Sequence, residues 1–197
     1  MHHKEIALFF GSFNPIHTGH TQLAEYLIDN NLFDEIWFVV SPCNPLKNQT
    51  DLLDEYLRLD MLVAAIAGNR HFRACDIEFE LPVPSYTIDT LHALTDEYPE
   101  YQFTLLIGSD NALVFDKWKN PLQILSEYPV CVYPRRGYDF NEVADLYPEM
   151  KLLNSPFYNI SSTHIRAMLA QKKDVTQWLH PSVYQYIIEN NLYTPNP

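Results

Sequence analysis

Residues 6–30 read IALFFGSFNPIHTGHTQLAEYLIDN, and this stretch carries the clearest fold signal in the chain. Residues 6–10 form a continuous apolar run, which is typical of a central strand covered on both faces. Between residues 18 and 30, apolar side chains recur at helical spacing, which predicts an amphipathic helix. A second apolar, β-rich run follows at residues 36–40. The stretch and its continuation therefore predict a β-α-β unit.

The alternation of strands and helices continues along the rest of the chain. Further strands are predicted at residues 72–79, 102–107, 129–133 and 151–153, and further helices at 52–67, 87–98, 162–171, 175–179 and 181–190. Because each connection is long enough to carry a helix, the strands should run parallel. We expect an α/β fold with a doubly wound, Rossmann-like parallel sheet at residues 1–160 and C-terminal helices at 161–197. Residues 1–197 are expected to form a single domain.

Composition and charge exclude several classes of protein. The chain has 25 acidic and 13 basic residues, a formal charge of −12, so we expect no nucleic-acid partner. No apolar stretch approaches the ~18 residues that a membrane span requires, and no signal peptide is evident. The spacing of Cys43, Cys75 and Cys131 fits neither a disulfide framework nor a metal knuckle. These features predict a protein with reduced thiols, a cytoplasmic location and no membrane partner.

The loop after the first strand, GSFNPIHTGH at residues 11–20, is the strongest candidate site. Neither GxGxxG nor GxxxxGK[ST] occurs, so the commonest dinucleotide and phosphate loops are absent. Gly11 lets the chain leave the sheet, and His17 and His20 straddle Gly19 at a helix N-terminus. Free N–H groups and the helix dipole favour an anion there, and imidazole donors would strengthen the site. Two other interpretations stay open: surface histidines, or zinc ligands at i, i+3.

A second candidate is ISSTHIR, residues 160–166, at the start of a late helix. Ser161 or Ser162 can cap that helix, Thr163 offers a hydroxyl, and Arg166 lies one turn along. Alone, the segment could be an ordinary cap with a solvated arginine. Two helix N-termini at one sheet edge could instead clamp a triphosphate.

Together, GxFxPxHxGH and [ST]xxIR closely resemble the nucleotidyltransferase superfamily. The segments PSYTIDTL (84–91), LLIGSDNALVFDKW (105–118) and RRGY (135–138) resemble the bacterial nicotinate-nucleotide adenylyltransferases within it. The resemblance spans about residues 6–166. It implies transfer of AMP from ATP to the phosphate of nicotinate mononucleotide, which yields pyrophosphate and nicotinate adenine dinucleotide for NAD biosynthesis.

The resemblance also implies the roles of individual residues. The catalytic set would be His17, His20 and Arg166, which would hold the ATP phosphates. Further ATP contacts would come from Gly11, Ser12, Phe13, Gly19, Gly108, Asp110, Ile160, Ser162 and Thr163. The nicotinate nucleotide would be bound by Lys47, Ser85, Tyr86, Thr87, Trp118 and Arg135. Mg²⁺ would arrive with ATP, no protein metal site is implied, and a homodimer stays open.

The chain departs from the family pattern at three positions. Leu46 stands in NPLK (44–47) where the family often has histidine, Asn14 replaces a frequent aspartate, and Arg136 replaces the proline of RPGY. Core packing stays an alternative role for Tyr86 and Trp118, and a solvated charge for Lys47.

Other functions stay open at this point. Nicotinamide mononucleotide is an alternative acceptor, and phosphopantetheine is a less fitting one because enzymes acting on it are shorter and lack the PSYT and DKW segments. A non-catalytic ATP-binding sensor and a zinc hydrolase are the alternatives from other classes.

Overall fold

The computed structural model describes residues 3–43 and 51–194. Within these ranges six parallel strands form one sheet in the order β3-β2-β1-β4-β5-β6. The strands are β1 (Lys4–Gly11), β2 (Glu35–Val40), β3 (Phe72–Cys75), β4 (Tyr101–Gly108), β5 (Val130–Tyr133) and β6 (Lys151–Leu152). The direction of strand order reverses between β1 and β4, and the crevice at the carboxyl ends of such strands is where open α/β sheets bind ligands.

Helices connect the strands and cover both faces of the sheet, which confirms the predicted doubly wound α/β fold. They are α1 (Thr18–Asp29), α2 (Glu55–Ile66), α3 (Thr87–Glu97), α4 (Ser109–Ala112), α5 (Pro121–Glu127), α6 (Phe140–Leu146), α7 (Ser162–Ala170) and α8 (Pro181–Glu189). Short 3₁₀ turns lie at Ile77–Phe79, Phe115–Lys117 and Thr176–Trp178.

The sheet separates two hydrophobic clusters, and β1 contributes to both. Ala7 and Phe9 pack in the cluster that includes residues of α1, α2, α7 and α8, whereas Ile6 and Leu8 pack in the cluster on the opposite face. Successive side chains of a strand point to opposite faces, so a central strand needs apolar residues at every position. This requirement explains the uninterrupted apolar run of β1.

The predicted third strand, residues 72–79, is too long. Only Phe72–Cys75 pairs with β2, and Ile77–Phe79 forms a 3₁₀ turn. The side chain of Glu78 is buried and accepts hydrogen bonds from Ser85 and Thr90, which holds this turn against the start of α3. The apolar residues around Glu78 therefore belong to a turn, although their pattern is strand-like. Along residues 3–43 and 51–194, no helix is both long and apolar enough to cross a membrane.

Candidate active site

A cavity of about 420 Å³ at the carboxyl ends of β1 and β4 brings the two sequence motifs together. We call it the histidine cleft; its lining includes His17 and His20 from the first motif and Ser162, Thr163 and Arg166 from the second. The motifs are also joined directly. Ser162 Oγ donates to the carbonyl of Pro15 at 2.9 Å, and Arg166 Nη1 donates to the carbonyl of Asn14 at 2.9 Å. Segments about 150 residues apart thus form one site.

The two histidines occupy fixed and different positions at the start of α1. Their rings stack with centroids 3.7 Å apart, and the backbone N–H of His17 donates to His20 Nδ1 at 3.2 Å. Because His20 Nδ1 accepts a hydrogen bond, the neutral imidazole carries its proton on Nε2. A Cβ at Gly19 would lie 3.2 Å from atoms of the His17 ring, so glycine permits this close approach.

His17 is buried and neutral at physiological pH. Burial first, and then the Arg135 guanidinium, lower the pKa of His17 to about 3. An imidazole in that state offers one N–H donor and no positive charge. His17 therefore adds no positive charge to the cleft, whereas Arg135 and Arg166, which also line it, do.

We expect His17 to make the protein less stable in mild acid. The unfolded chain protonates His17 near pH 6.5, whereas the folded protein does so only near pH 3, so the unfolded state binds more protons between these values. The contribution of neutral His17 to the free energy of unfolding is therefore full above pH 6.5 and decreases as the pH drops toward 3. His17→Asn should reduce this slope by up to about 1.4 kcal/mol per pH unit, measured by urea unfolding from pH 5 to 7.5. An unchanged slope would contradict the buried neutral state; His164→Asn, at an exposed position, is the control.

Asp110 and Arg135 form a charged pair beside the histidines. Arg135 Nε lies 3.6 Å from Asp110 Oδ1, and this buried oxygen has no hydrogen-bond partner among the described residues. A Cβ at Gly108 would clash with Asp110 Oδ1 and lie 2.8 Å from Arg135 Cγ. The glycine that ends β4 therefore allows both side chains to reach the cleft.

A second cavity, of about 330 Å³, opens beside the histidine cleft. We call it the aromatic cavity; Tyr86, Trp118, Ser85 and Thr87 are among its lining residues. Trp118 Nε1 is buried and finds no hydrogen-bond partner in the part of the chain that the structure describes. An unpaired buried donor on an aromatic ring beside a cavity is suited to a planar ligand with an acceptor group.

The two cavities adjoin each other. Both are lined by Phe10, Gly11, Ser12, Asn111 and Tyr133. Burial raises the pKa of Tyr133 to about 12, so its hydroxyl stays protonated and can donate a hydrogen bond. A ligand in one cavity can therefore meet a ligand in the other across a polar junction.

A third cavity, of about 500 Å³, adjoins the histidine cleft on another side. It shares Asp110, Arg135 and Ser161 with the cleft, and Tyr158 and Ile160 contribute apolar surface. The histidine cleft thus shares lining residues with both of the other cavities. This arrangement fits a molecule with a central charged part and a ring at each end.

Most of the predicted site residues line one of these three cavities, but Gly19 lines none of them and borders a small separate pocket instead. Arg135 was expected beside the nicotinate nucleotide, but it lines the histidine cleft and the third cavity and is absent from the lining of the aromatic cavity. Lys47 and Leu46, in NPLK, lie outside the described residues. Ser12, Phe13, Gly11 and Asp110 line the histidine cleft, and Gly108 lines the aromatic cavity.

Several lining residues were not predicted, among them Glu78, Asn111 and Tyr133. Asn111 could have been found, because it follows Asp110 in the short helix α4, which begins directly after β4 at the same sheet edge. Tyr133 lies at the end of an apolar strand, so the sequence pattern predicts a core residue at this position. Glu78 carries no local signal, because its partners follow it in a separate helix.

The loop conformation depends on one buried guanidinium. Arg58 in α2 is fully buried, and its Nη1 donates to the carbonyls of Ser12 and Ser41 at 2.7 and 2.8 Å. Nη2 donates to Pro42 at 3.0 Å, and Nε donates to Leu53 at 2.8 Å. The side chain thereby connects the loop after β1 to the segments that follow β2.

The hydrogen bonds of Asn14 explain why asparagine suits a position where the family frequently has aspartate. Its Nδ2 donates to the carbonyl of Asp51 at 2.8 Å, and its Oδ1 accepts from Tyr193 Oη at 2.7 Å. An amide can donate and accept at once, whereas an aspartate carboxylate can only accept. Tyr193, four residues beyond the end of α8, is therefore tied to the loop that carries the histidines.

We expect Tyr193→Phe to lower the free energy of unfolding by about 1 kcal/mol, because it removes a buried hydrogen bond to Asn14 and little else. Urea denaturation at pH 7.5 measures the loss. Tyr186→Phe is the matched control, since its hydroxyl donates to Asp60 at the surface. Equal losses of unfolding free energy in the two variants would show that the hydrogen bond to Asn14 stabilises the fold no more than the surface bond to Asp60 does.

The described residues contain no group of three or more His, Cys, Asp or Glu side chains able to hold a metal ion. His17 and His20 therefore have no third protein ligand within residues 3–43 and 51–194. Residues 3–43 and 51–194 therefore provide no set of protein ligands for the zinc ion that a zinc hydrolase would need.

The parallel sheet, the histidines at the start of α1 and the arginine of α7 define a nucleotidyltransferase. The chain belongs to the cytidylyltransferase-like family, whose sequence profile matches residues 8–168. It is 50% identical over 182 residues to a "Probable nicotinate-nucleotide adenylyltransferase" of Bacteroides fragilis, which covers 92% of this chain and 90% of that protein. A protein of the same name from Cytophaga hutchinsonii is 44% identical, covering 96% and 98%.

Solved structures agree with this placement. The Plasmodium falciparum nicotinic acid mononucleotide adenylyltransferase complexed with NaAD superposes with a TM-score of 0.83 at 25% identity, covering 97% of this chain and 98% of that one. The same enzyme complexed with APC gives a TM-score of 0.81. The expected resemblance to nicotinate-nucleotide adenylyltransferases is thereby confirmed.

Proposed function

We propose that the protein transfers AMP from ATP to the phosphate of nicotinate mononucleotide, forming nicotinate adenine dinucleotide and pyrophosphate. The observation that carries this function is the convergence of His17, His20 and Arg166 in a cleft that shares lining residues with the aromatic cavity. The names of the relatives support the same reaction. The product is the dinucleotide precursor of NAD.

ATP would occupy the histidine cleft and the third cavity. The triphosphate would lie between the N-termini of α1 and α7, where free N–H groups and the helix dipoles favour an anion. Arg166, Ser162 and Thr163 would hold the β- and γ-phosphates, and His17 and His20 would contact the α-phosphate. The adenine ring would lie in the third cavity, where Ile160 lines the wall.

Nicotinate mononucleotide would occupy the aromatic cavity. Tyr86 and Trp118 provide ring surfaces for the pyridine, and Ser85 and Thr87 are the polar groups beside them. Its phosphate would reach the junction at Ser12, Asn111 and Tyr133. There it would meet the α-phosphorus of ATP.

The reaction requires alignment and charge stabilisation more than covalent work by the protein. A phosphate oxygen of the mononucleotide forms a bond to the α-phosphorus, and the bond from that phosphorus to the bridging oxygen of the β-phosphate breaks. His20, donating from Nε2, would stabilise charge on the α-phosphate, and Arg166 would stabilise the departing pyrophosphate. Both nucleotides must be held in line for this displacement.

Mg²⁺ with ATP is part of the proposal. Magnesium commonly binds substrate phosphates together with one or two carboxylates and keeps several waters. Asp110 Oδ1, which is buried and has no hydrogen-bond partner among the described residues, is a protein oxygen placed to take part. When bound, the ion would neutralise phosphate charge.

Comparison of acceptors tests the function. With Mg²⁺-ATP, kcat/KM should be higher for nicotinate mononucleotide than for nicotinamide mononucleotide, with pyrophosphate formed in equal amount to the dinucleotide. A preference for the amide would overturn the choice of acceptor. ATP binding without pyrophosphate release would favour the non-catalytic sensor. The homodimer and the cytoplasmic location stay predictions.

A further inference from the structure

Glu78 is a buried acidic side chain that the mechanism above does not use. It is 3% exposed and lines the aromatic cavity. Ser85 Oγ donates to Glu78 Oε2 at 2.8 Å, and Thr90 Oγ1 donates to Glu78 Oε1 at 2.8 Å. Both carboxylate oxygens thus accept a hydrogen bond from a hydroxyl group. Burial raises the pKa of Glu78, and the hydroxyl donors act in the opposite direction.

These bonds determine what Ser85 can offer to a ligand. A serine hydroxyl has one hydrogen, and that of Ser85 is donated to Glu78. The Ser85 hydroxyl oxygen therefore has only lone pairs left for a ligand in the cavity. It can accept a hydrogen bond from that ligand but cannot donate one to an anionic group. Ser85 is placed beside the cavity without being a donor to it.

The same bonds fix the backbone that carries Tyr86 and Thr87. Ser85 precedes these residues and Thr90 follows them in the first turns of α3. Thr90 Oγ1 also lies 3.3 Å from the carbonyl of Tyr86, which is the N-cap of α3. The carboxylate of Glu78 therefore holds both ends of the segment on which the aromatic cavity depends.

We propose that Glu78 is a positioning residue for the acceptor nucleotide, acting through Ser85 and Thr90 on the cavity wall formed by residues 85–87. The inference rests on the proposed function. Glu78 and residues 85–87 line the aromatic cavity, and none of them is in the lining of the histidine cleft. Loss of Glu78 should therefore weaken acceptor binding selectively, whereas general loosening of the fold would affect both substrates.

Steady-state kinetics of the full chain with Mg²⁺-ATP and nicotinate mononucleotide test this inference. Glu78→Ala leaves the hydroxyls of Ser85 and Thr90 without their acceptor, so KM for the acceptor should rise about tenfold. Glu78→Gln has the same shape but one accepting oxygen, and its KM should rise about threefold. In both variants KM for ATP and kcat should stay within about twofold of wild type.

Glu80→Ala is the matched control, because Glu80 is an exposed acid that directly follows the same 3₁₀ turn. It should leave all three constants unchanged. If Glu78→Ala does not fold, Thr90→Val replaces it and should raise acceptor KM about threefold. An unchanged acceptor KM, or an equal rise in both KM values, overturns the inference while the proposed function stands. A wild type that does not use the nicotinate nucleotide overturns both.

Discussion

His20→Ala should lower kcat by about 100- to 1000-fold, the loss typical of removing one preorganised donor from a developing charge. The reason is geometric. His20 Nδ1 accepts the backbone N–H of His17, so a proton on this ring is carried by Nε2, the nitrogen that would donate to the phosphate in transfer. The His20 ring is also held edge-on against Phe9 and Phe13, with centroid distances of 5.7 and 5.2 Å. Such an orientation is set before the substrate arrives.

Rapid-quench measurement of dinucleotide formation at saturating substrates would show this loss directly. Urea unfolding of the same variant should show that the fold is intact. His92→Ala is the control, because His92 is a partly exposed residue of α3 paired with Glu127 and outside the site. Near-wild-type turnover in His20→Ala would remove His20 from the mechanism.

The largest expected effect on stability comes from Arg58→Met. Methionine fills similar space with apolar atoms but donates no hydrogen bonds, so the carbonyls of Ser12, Ser41, Pro42 and Leu53 lose their donor. At about 1 kcal/mol net for each bond, the free energy of unfolding should fall by about 4 kcal/mol. Urea denaturation with a constant m-value is the measurement.

Arg73→Met provides the comparison for this loss. The Arg73 guanidinium lies at the surface over the rings of Trp37 and Tyr98, at 4.1 and 5.0 Å from their centroids. Such exposed cation–π contacts contribute about 0.5–1 kcal/mol. If Arg58→Met cost no more than Arg73→Met, Arg58 could not be the residue that holds the loops.

The fold could be predicted because local pattern and tertiary position agree along most of the chain. The apolar run of β1 and the helical spacing of α1 are signals within single segments, and the parallel order follows from connection length. The same reasoning failed at residues 76–79, where a polar contact to a later helix decides the conformation. Periodicity contains no information about such a partner.

Part of the site could be predicted from the sequence for the same reason. The histidine and arginine motifs are compact strings, so their residue types and spacing were informative before any geometry was known. The bond between Asn14 and Tyr193 joins positions 179 residues apart, and no local pattern indicates it. Arg58 gave a weaker signal: it lies one turn from Met61 and Leu62 on the apolar side of α2, where a charged residue requires buried partners.

Tracing the α-phosphate tests the central claim of adenylyl transfer most directly. ATP labelled only at the α-phosphorus, incubated with the protein, Mg²⁺ and nicotinate mononucleotide, should place all transferred label in nicotinate adenine dinucleotide and leave pyrophosphate unlabelled. Failure to form a labelled dinucleotide, with ATP either unchanged or cleaved to free AMP, would contradict the account.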